Sequence, residues 1–315
     1  MVGVRKFGVN EPATLNDKWH QGSLTKSMTA TLAGLFVDEG LVTWTSRIVD
    51  VFPEYAGKMH ADWKEVTLEQ LLSHRSGAPG DLKAGGIWDR LWNHPGTPRE
   101  QRLFLLQAVT AVAPKSKPGT AYEYANAGYA LAGAMLEKIA NKPWEEVITE
   151  KLFVPLGMTS AGFGVPATPR YINQPWGHTF EKGAPVPVAP GIEADNPPGI
   201  GPGGTVHCSL RDMARYAAFH LAGDRGECQF LRPATFQKLH GDVANQGYAL
   251  GWEVTKRDWG GGKVLHHTGS NTQWFSNIWL APIRNFAVVV LTNIGGDSAF
   301  QATDAVAAKM IQQFL

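Results

Sequence analysis

The sequence predicts an α+β protein, an antiparallel sheet flanked by helices, with a mainly helical segment inserted into the chain. Three observations carry this. Apolar residues recur at helical spacing through the early and middle parts of the chain. Short strand-like runs separated by turn residues dominate after Tyr248. Between these regions, residues 160–204 are rich in Pro and Gly without any period.

The elements follow in order. Residues 2–8, VGVRKFG, partly alternate and predict a strand. A helix begins at Ser23, with Met28, Leu32, Leu35 and Phe36 on one face and Gly40 as its stop. Thr67 and Gln70 form a capping box ahead of Leu71 and Leu72, and Gly77 ends that helix. Thr97-Pro98-Arg99-Glu100 supplies an N-cap, a proline at the first helical position and an acid at the third. Over 127–140 the apolar face is Leu131, Met135, Leu136 and Ile139. Pro143 opens a helix carrying Trp144, Val147, Ile148 and Leu152. Ser209 and Asp212 cap another, with Met213, Tyr216, Ala217 and Leu221 facing inward.

Four strands are then expected: YALGWEV (248–254), KVLHHTG (263–269), FSNIWLA (275–281) and FAVVVLTN (286–293). Residues 282–285 make the last turn. A final helix over 298–314 presents Ala302, Ala305, Val306 and Met310. This order divides the chain into residues 1–58 plus 205–315, which carry the sheet, and a helical insertion, 59–204. A ligand cleft is expected between the two.

Composition excludes several function classes. The 315 residues are 43% apolar and 18% charged, as in an ordinary globular protein. A net charge of +1 leaves no basic footprint for nucleic acid. No stretch approaches a membrane span, and the first residues lack the apolar region of a signal peptide, so a cytoplasmic location is expected. Cys208 and Cys228 form neither a disulfide framework nor a metal spacing, and read as buried thiols. No cofactor or metal is called for.

Three groups of residues carry chemistry. Ser23-Leu24-Thr25-Lys26 places a serine and a lysine one helical turn apart on the same face. A serine hydroxyl needs a base, and a lysine serves if its pKa is lowered by desolvation or nearby positive potential. Tyr124-Ala125-Asn126 lies in a loop ahead of a helix. Its phenol is a base or relay if held near cations as phenolate. Its amide offers a donor and an acceptor to a substrate amide or to Lys26. His267-Thr268-Gly269 ends a strand. There the glycine permits close approach of a substrate to the strand edge, and Thr268 can hydrogen-bond a substrate carboxylate or carbonyl. Each group alone has a plain structural reading: a capping serine with a surface lysine, a packed tyrosine with a capping asparagine, a strand entering a turn.

Taken together, in this order, the three groups resemble the serine β-lactamase / D-Ala-D-Ala carboxypeptidase superfamily. The resemblance is to its class C-like branch, which includes serine peptidases, D-aminopeptidases and carboxylesterases. It runs from Val2 to Ile294 and includes the stretches GSLTKSMTATLAGLFVDEGLV, VTLEQLLSHRSGAPG, PGTAYEYANAGYALAGAMLE and FVPLGM. It implies the β-lactamase/transpeptidase-like fold and a serine hydrolase. Ser23 would form an acyl-enzyme, and Lys26 and Tyr124 would manage the protons. Asn126 would orient substrate or Lys26. His267, Thr268 and Gly269 would line the opposite wall, and the backbone N–H groups of Ser23 and Ser270 would form the oxyanion hole.

Departures from the family pattern sharpen the expectation. His267 stands where many β-lactamases carry lysine, which weakens binding of a β-lactam carboxylate. Ser23 comes early, with room for about one strand before it; a lost strand would expose a sheet edge and invite a homo-oligomer. Trp259-Gly260-Gly261 matches a motif of some family esterases but sits in a hairpin turn. The expected substrate is a small-molecule ester, amide or β-lactam. Carboxylesterase activity comes first, because activated small esters need little beyond a nucleophile and an oxyanion hole. β-Lactamase, D,D-carboxypeptidase or D-aminopeptidase activity is the alternative, and an acylatable sensor without turnover is a third. Trp88, Trp92, Trp176 and Phe180 are candidate cleft residues.

Other hydrolase designs fit less well. No Gly-x-Ser-x-Gly elbow is present for a Ser-His-Asp triad. No His-Glu-x-x-His spacing is present for zinc, and His266 and His267 must face opposite sides of a strand. Cys208 beside His207 is a cysteine-nucleophile candidate only if the two meet in space.

Overall fold

The computed structural model describes residues 1–315 apart from Glu193. Residues 2–8 do not form the expected strand. Gly3 and Gly8 take φ of 98° and 82°, which breaks the alternation, and only a single bridge joins Val4 to Pro12. The first strand is β1 (Lys18–His20). A 3-10 turn, Gly22–Leu24, then runs into α1 (Thr25–Asp38). The middle of the chain supplies α2 (Ile48–Val51), α3 (Leu68–Leu72), α4 (Ile87–Trp92), α5 (Pro98–Thr110), α6 (Asn126–Ala140) and α7 (Trp144–Ile148). Both expected capping boxes form, at Thr67/Gln70 and Thr97/Glu100. However, α3 ends at Leu72, ahead of Gly77, and the chain turns left-handed at His74 (φ 58°).

The segment 160–204 is more ordered than its composition suggests. It holds β2 (Gly162–Phe163), the hairpin β3 (Gly177–Glu181) and β4 (Ala184–Val188), and the short α8 (Gly201–Gly204). Pro185 and Pro187 hide β4 in the sequence, and a two-stranded hairpin tolerates them because both strands are edges. β5 (Val206–Ser209) also escapes the sequence pattern. It is the centre of a small sheet ordered β1-β5-β2, with Trp19 opposite Cys208 and Phe163 opposite Val206. Ser209 then caps α9 (Leu210–Asp224), as expected, and α10 (Pro233–Leu239) follows.

The main sheet is β6 (Glu253–Arg257), β7 (Gly262–Ser270), β8 (Phe275–Ala281) and β9 (Phe286–Thr292), antiparallel in that order. The run YALGWEV does not extend as one strand. Gly251 is left-handed (φ 81°), and its Cα lies so close to the α1 backbone at Ser27 that a Cβ there would overlap it. Residues 248–252 therefore turn over α1 before β6 begins. α11 (Asp297–Phe314) packs on β8 and β9 through Ala299, Thr303 and Ala307, not through the expected Ala302, Ala305, Val306 and Met310. The smaller residues let the helix lie close on the sheet. Val306 and Met310 line a cavity of about 570 Å³ beside β9, together with Phe180.

α1 is the centre of the molecule. A single apolar face was expected, yet all of Thr25–Phe36 is buried, between α6, α8 and α10. Its polar residues are paired accordingly. Thr25 Oγ1 accepts from Val206 N at 3.1 Å, and Thr29 Oγ1 donates to Pro202 O at 2.7 Å. No helix among the described residues is long and apolar enough to cross a membrane.

Candidate active site

Ser23 sits in the 3-10 turn that leads into α1, pressed against the end of β7. Two glycines make this approach possible. Gly22 is left-handed (φ 50°), and a Cβ on it would overlap the Ser270 backbone. A Cβ on Gly269 would overlap Gln21 O. Gly269 therefore admits the chain's own turn carrying Ser23, whereas the sequence suggested that it admits substrate. The contact sets the backbone at Ser23 beside that at Ser270. Ser23 is the second residue of its turn, where an N–H has no carbonyl one turn back to bond.

Lys26 is completely buried and does not resemble a surface lysine. Nζ lies 3.0 Å from Ser23 Oγ, 2.7 Å from Asn126 Oδ1 and 2.7 Å from Gly203 O. Burial lowers its pKa to about 7. In the neutral amine, two N–H bonds serve Asn126 and Gly203, and the lone pair remains for the Ser23 hydroxyl. The two carbonyl acceptors and the hydroxyl thus suit the amine in either protonation state.

Tyr124 and Asn126 enter from the loop ahead of α6 and from its first residue. Asn126 takes the lysine option left open by its sequence. Nζ of Lys26 lies 4.7 Å from the centroid of the Tyr124 ring. Tyr124 as a residue is 38% exposed, while its hydroxyl neighbours Ser23. Burial of the hydroxyl raises its pKa well above that of an ordinary phenol, against a resting phenolate.

His267 is buried on the opposite wall. Its Nδ1 donates to Thr268 O at 2.5 Å, which leaves Nε2 to accept from Tyr248 OH at 3.3 Å. Burial, with a contribution from the positive Lys26, lowers its pKa to about 4. It is neutral at pH 7 and does not replace the lysine charge that many β-lactamases place there. His266 points the other way, stacked on Trp279 at 3.8 Å and bound to Glu253 at 2.8 Å. Thr268 is partly exposed and Ser270 exposed.

Three more residues belong to the frame and were not singled out from the sequence. Gly203 supplies a carbonyl to Lys26; the glycine run GIGPGG was its only signal. His20 Nδ1 accepts from Gly22 N at 3.0 Å, so its proton is on Nε2, 2.8 Å from Asp195 Oδ1. Asp195 Oδ1 also accepts from Asn271 Nδ2 at 3.3 Å. Asp195 thus ties the chain on both sides of the Ser23–Ser270 contact. No local pattern reveals this, since the three residues are far apart in sequence.

Other candidates fall away from the site. Cys208 is buried, and burial pushes its thiol pKa well up, which suits packing and not nucleophilic attack. Neighbouring His207 binds Gly164 O at 2.8 Å instead. Trp259-Gly260-Gly261 is the turn between β6 and β7. Phe180 lines the cavity beside α11, and Trp176 stacks under Lys6 at 3.9 Å.

Known proteins match along nearly the whole chain. The Beta-lactamase family model matches residues 1–311. Penicillin-binding protein 4 of Amycolatopsis lactamdurans is 27% identical over 311 residues, covering 95% of this chain and 78% of the relative. The octameric penicillin-binding protein homologue from Pyrococcus abyssi superposes with a TM-score of 0.76 at 24% identity, covering 98% of this chain and 69% of that one. A D-stereospecific amidohydrolase from Streptomyces superposes with a TM-score of 0.71 at 21% identity, covering 91% and 86%. The two superpositions are likenesses of fold, and they agree with the helices and antiparallel sheets described above.

Proposed function

This chain belongs to the Beta-lactamase family and is a serine hydrolase, and from that premise we propose that it works through an acyl ester on Ser23. The observation that carries the reading is the setting of Lys26: buried, with a pKa near 7 and three acceptors at 2.7–3.0 Å. The cleft is assigned to the meeting of residues 1–58 and 205–315 with 59–204.

The steps follow from the residues. The Lys26 amine takes the Ser23 proton as Oγ attacks the substrate carbonyl. The oxyanion forms between the N–H groups of Ser23 and Ser270, an arrangement worth about 3–4 kcal/mol per donor in comparable sites. Lys26 and the Tyr124 hydroxyl return the proton to the leaving group. In the second half, the same pair takes a proton from water as it attacks the acyl ester, and Ser23 recovers its hydrogen. Asn126 and Gly203 keep the amine aimed at Ser23 throughout.

The acyl group is the finer question. Neutral His267 and the hydroxyl of Thr268 suit an uncharged acyl end. A carboxylesterase of small acyl groups therefore comes first. Amide cleavage is the second reading, since relatives in fold include a D-stereospecific amidohydrolase. A homo-oligomer is part of the reading, because the Pyrococcus relative is described as octameric and β9 lies at a sheet edge.

The test is a panel of a short p-nitrophenyl ester, a chromogenic cephalosporin and a D-Ala-D-Ala peptide, with wild type and Ser23→Ala. The ester should turn over fastest, and only in wild type. Faster turnover of the peptide or cephalosporin would replace the esterase reading. A stoichiometric burst without turnover would replace it with a sensor.

A further inference from the structure

We propose that His74, in the turn after α3, is the positioning residue that holds Tyr124 over Ser23; this rests on the reading of Tyr124 as a proton carrier. His74 touches neither Ser23 nor the open cleft and is 1% exposed. It acts on Tyr124 through the backbone on both sides of it. Glu123 N donates to His74 O at 2.8 Å, and Ala125 N donates to His74 Nδ1 at 3.1 Å. One residue therefore fixes the chain immediately before and immediately after the phenol. The imidazole also packs on the phenol itself, at 4.3 Å between ring centroids and 39° between planes.

These bonds end a longer series. Lys115 N donates to Gly77 O at 2.9 Å, and Gly119 N donates to Arg75 O at 2.7 Å. The turn after α3 thus runs in register along residues 115–125, with His74 at the catalytic end.

The residue type suits this place. Its φ of 58° is left-handed, a region that histidine and asparagine enter far more readily than branched residues. Nδ1 must be an unprotonated acceptor, because an N–H faces it. Burial, with the positive charge of Lys26 nearby, keeps the ring neutral. Tyr129 and Tyr248 pack on the same imidazole at 5.2 and 4.9 Å, and Tyr248 reaches on to His267. His74 is therefore wedged between the Tyr124 loop and the opposite wall of the cleft.

The experiment is a double-mutant cycle between His74 and Tyr124, read as kcat and KM on the p-nitrophenyl ester, with a melting curve for every variant. His74→Leu removes the acceptor and roughly keeps the volume. It should lower kcat by about 10- to 100-fold, the cost expected of a misplaced catalytic group, with KM within about twofold. In a Tyr124→Phe background the same change should cost almost nothing further. His74→Asn, which keeps an acceptor and accepts positive φ, should restore most of kcat. His74→Gly relieves the backbone, so it gives the acceptor-less result should the leucine variant fail to fold.

Equal losses from His74→Leu in both backgrounds would overturn the proposal while leaving Tyr124 its role. So would a folded His74→Asn variant as poor as the glycine variant. A Tyr124→Phe enzyme with unchanged kcat would overturn both readings.

Discussion

Nζ of Lys26 lies 2.7 Å from the carbonyl oxygen of Gly203, closer than its 3.0 Å to Ser23 Oγ. A backbone carbonyl only accepts, so this contact fixes one N–H of the lysine whatever its charge. Asn126 Oδ1 fixes a second at the same distance. The remaining direction points to Ser23. The serine thus meets a lone pair when the amine is neutral and a proton when it is charged.

The first expectation is a pH profile. With the Lys26 amine as the proposed base, the governing pKa is the one that burial lowers to about 7. The ratio kcat/KM should therefore rise through pH 7 and level off above it. The raised Tyr124 pKa removes any fall from phenol ionisation over the same range. Lys26→Arg cannot lose its proton and should be inactive at every pH. Stopped-flow or steady-state rates on one ester from pH 5 to 9 measure this. A rate that falls as pH rises through 7 would oppose a lysine base.

Asp195 should matter to both rate and stability. Its carboxylate lies 2.8 Å from His20 Nε2 and accepts from Asn271 at 3.3 Å. Removing it takes the carboxylate away from the buried His20 ring, which it faces at ion-pair distance, and from the Asn271 amide that donates to it, at a cost of about 1–3 kcal/mol. It also loosens the segments that carry Ser23 and Ser270, whose N–H groups are the proposed oxyanion hole. Asp195→Ala is expected to lose that stability in urea denaturation and to lower kcat more than it raises KM. A variant with normal kcat would show that the Ser23–Ser270 contact holds without it.

Acid should destabilise the fold before it protonates most carboxylates. His74, His207, His220, His240 and His267 are all buried, and burial lowers the pKa of each, to about 4 for His207 and His267. Below the unfolded value of 6.5 the unfolded chain takes up protons that the folded core refuses. Stability contributed by these groups is therefore present above pH 6.5 and declines as pH falls toward 4. His220 and His240 are directly bonded at 2.8 Å, with Asp224 taking the other His240 nitrogen at 2.8 Å, so both nitrogens of His240 are engaged. Melting temperatures should fall steadily from pH 6.5 to 4.5. A flat curve over that interval would contradict neutral buried histidines.

Much of this was legible in the sequence, for physical reasons. Ser23 and Lys26 are three apart across the 3-10 turn that runs into α1, and that spacing alone puts their side chains on one face. Capping boxes at Thr67 and Thr97 form because their partners are also local. β8 matches the run FSNIWLA because its bounding turns are clear. What escaped is nonlocal or disguised. Gly203, His20 and Asp195 act through contacts between distant segments, and no periodicity marks them. β4 is disguised by prolines, and β5 is too short to show a pattern. Gly269 was visible, but its neighbour was not: the close approach comes from Gln21 O, on a turn nearly 250 residues away.

Ser23 is the residue proposed to carry the acyl group. Intact-mass measurement of the enzyme quenched during turnover of a slow ester, followed by peptide mapping, tests it most directly. One acyl adduct, on the peptide containing Ser23, is expected in wild type and none in Ser23→Ala. An adduct on any other residue, or undiminished turnover by Ser23→Ala, would contradict it.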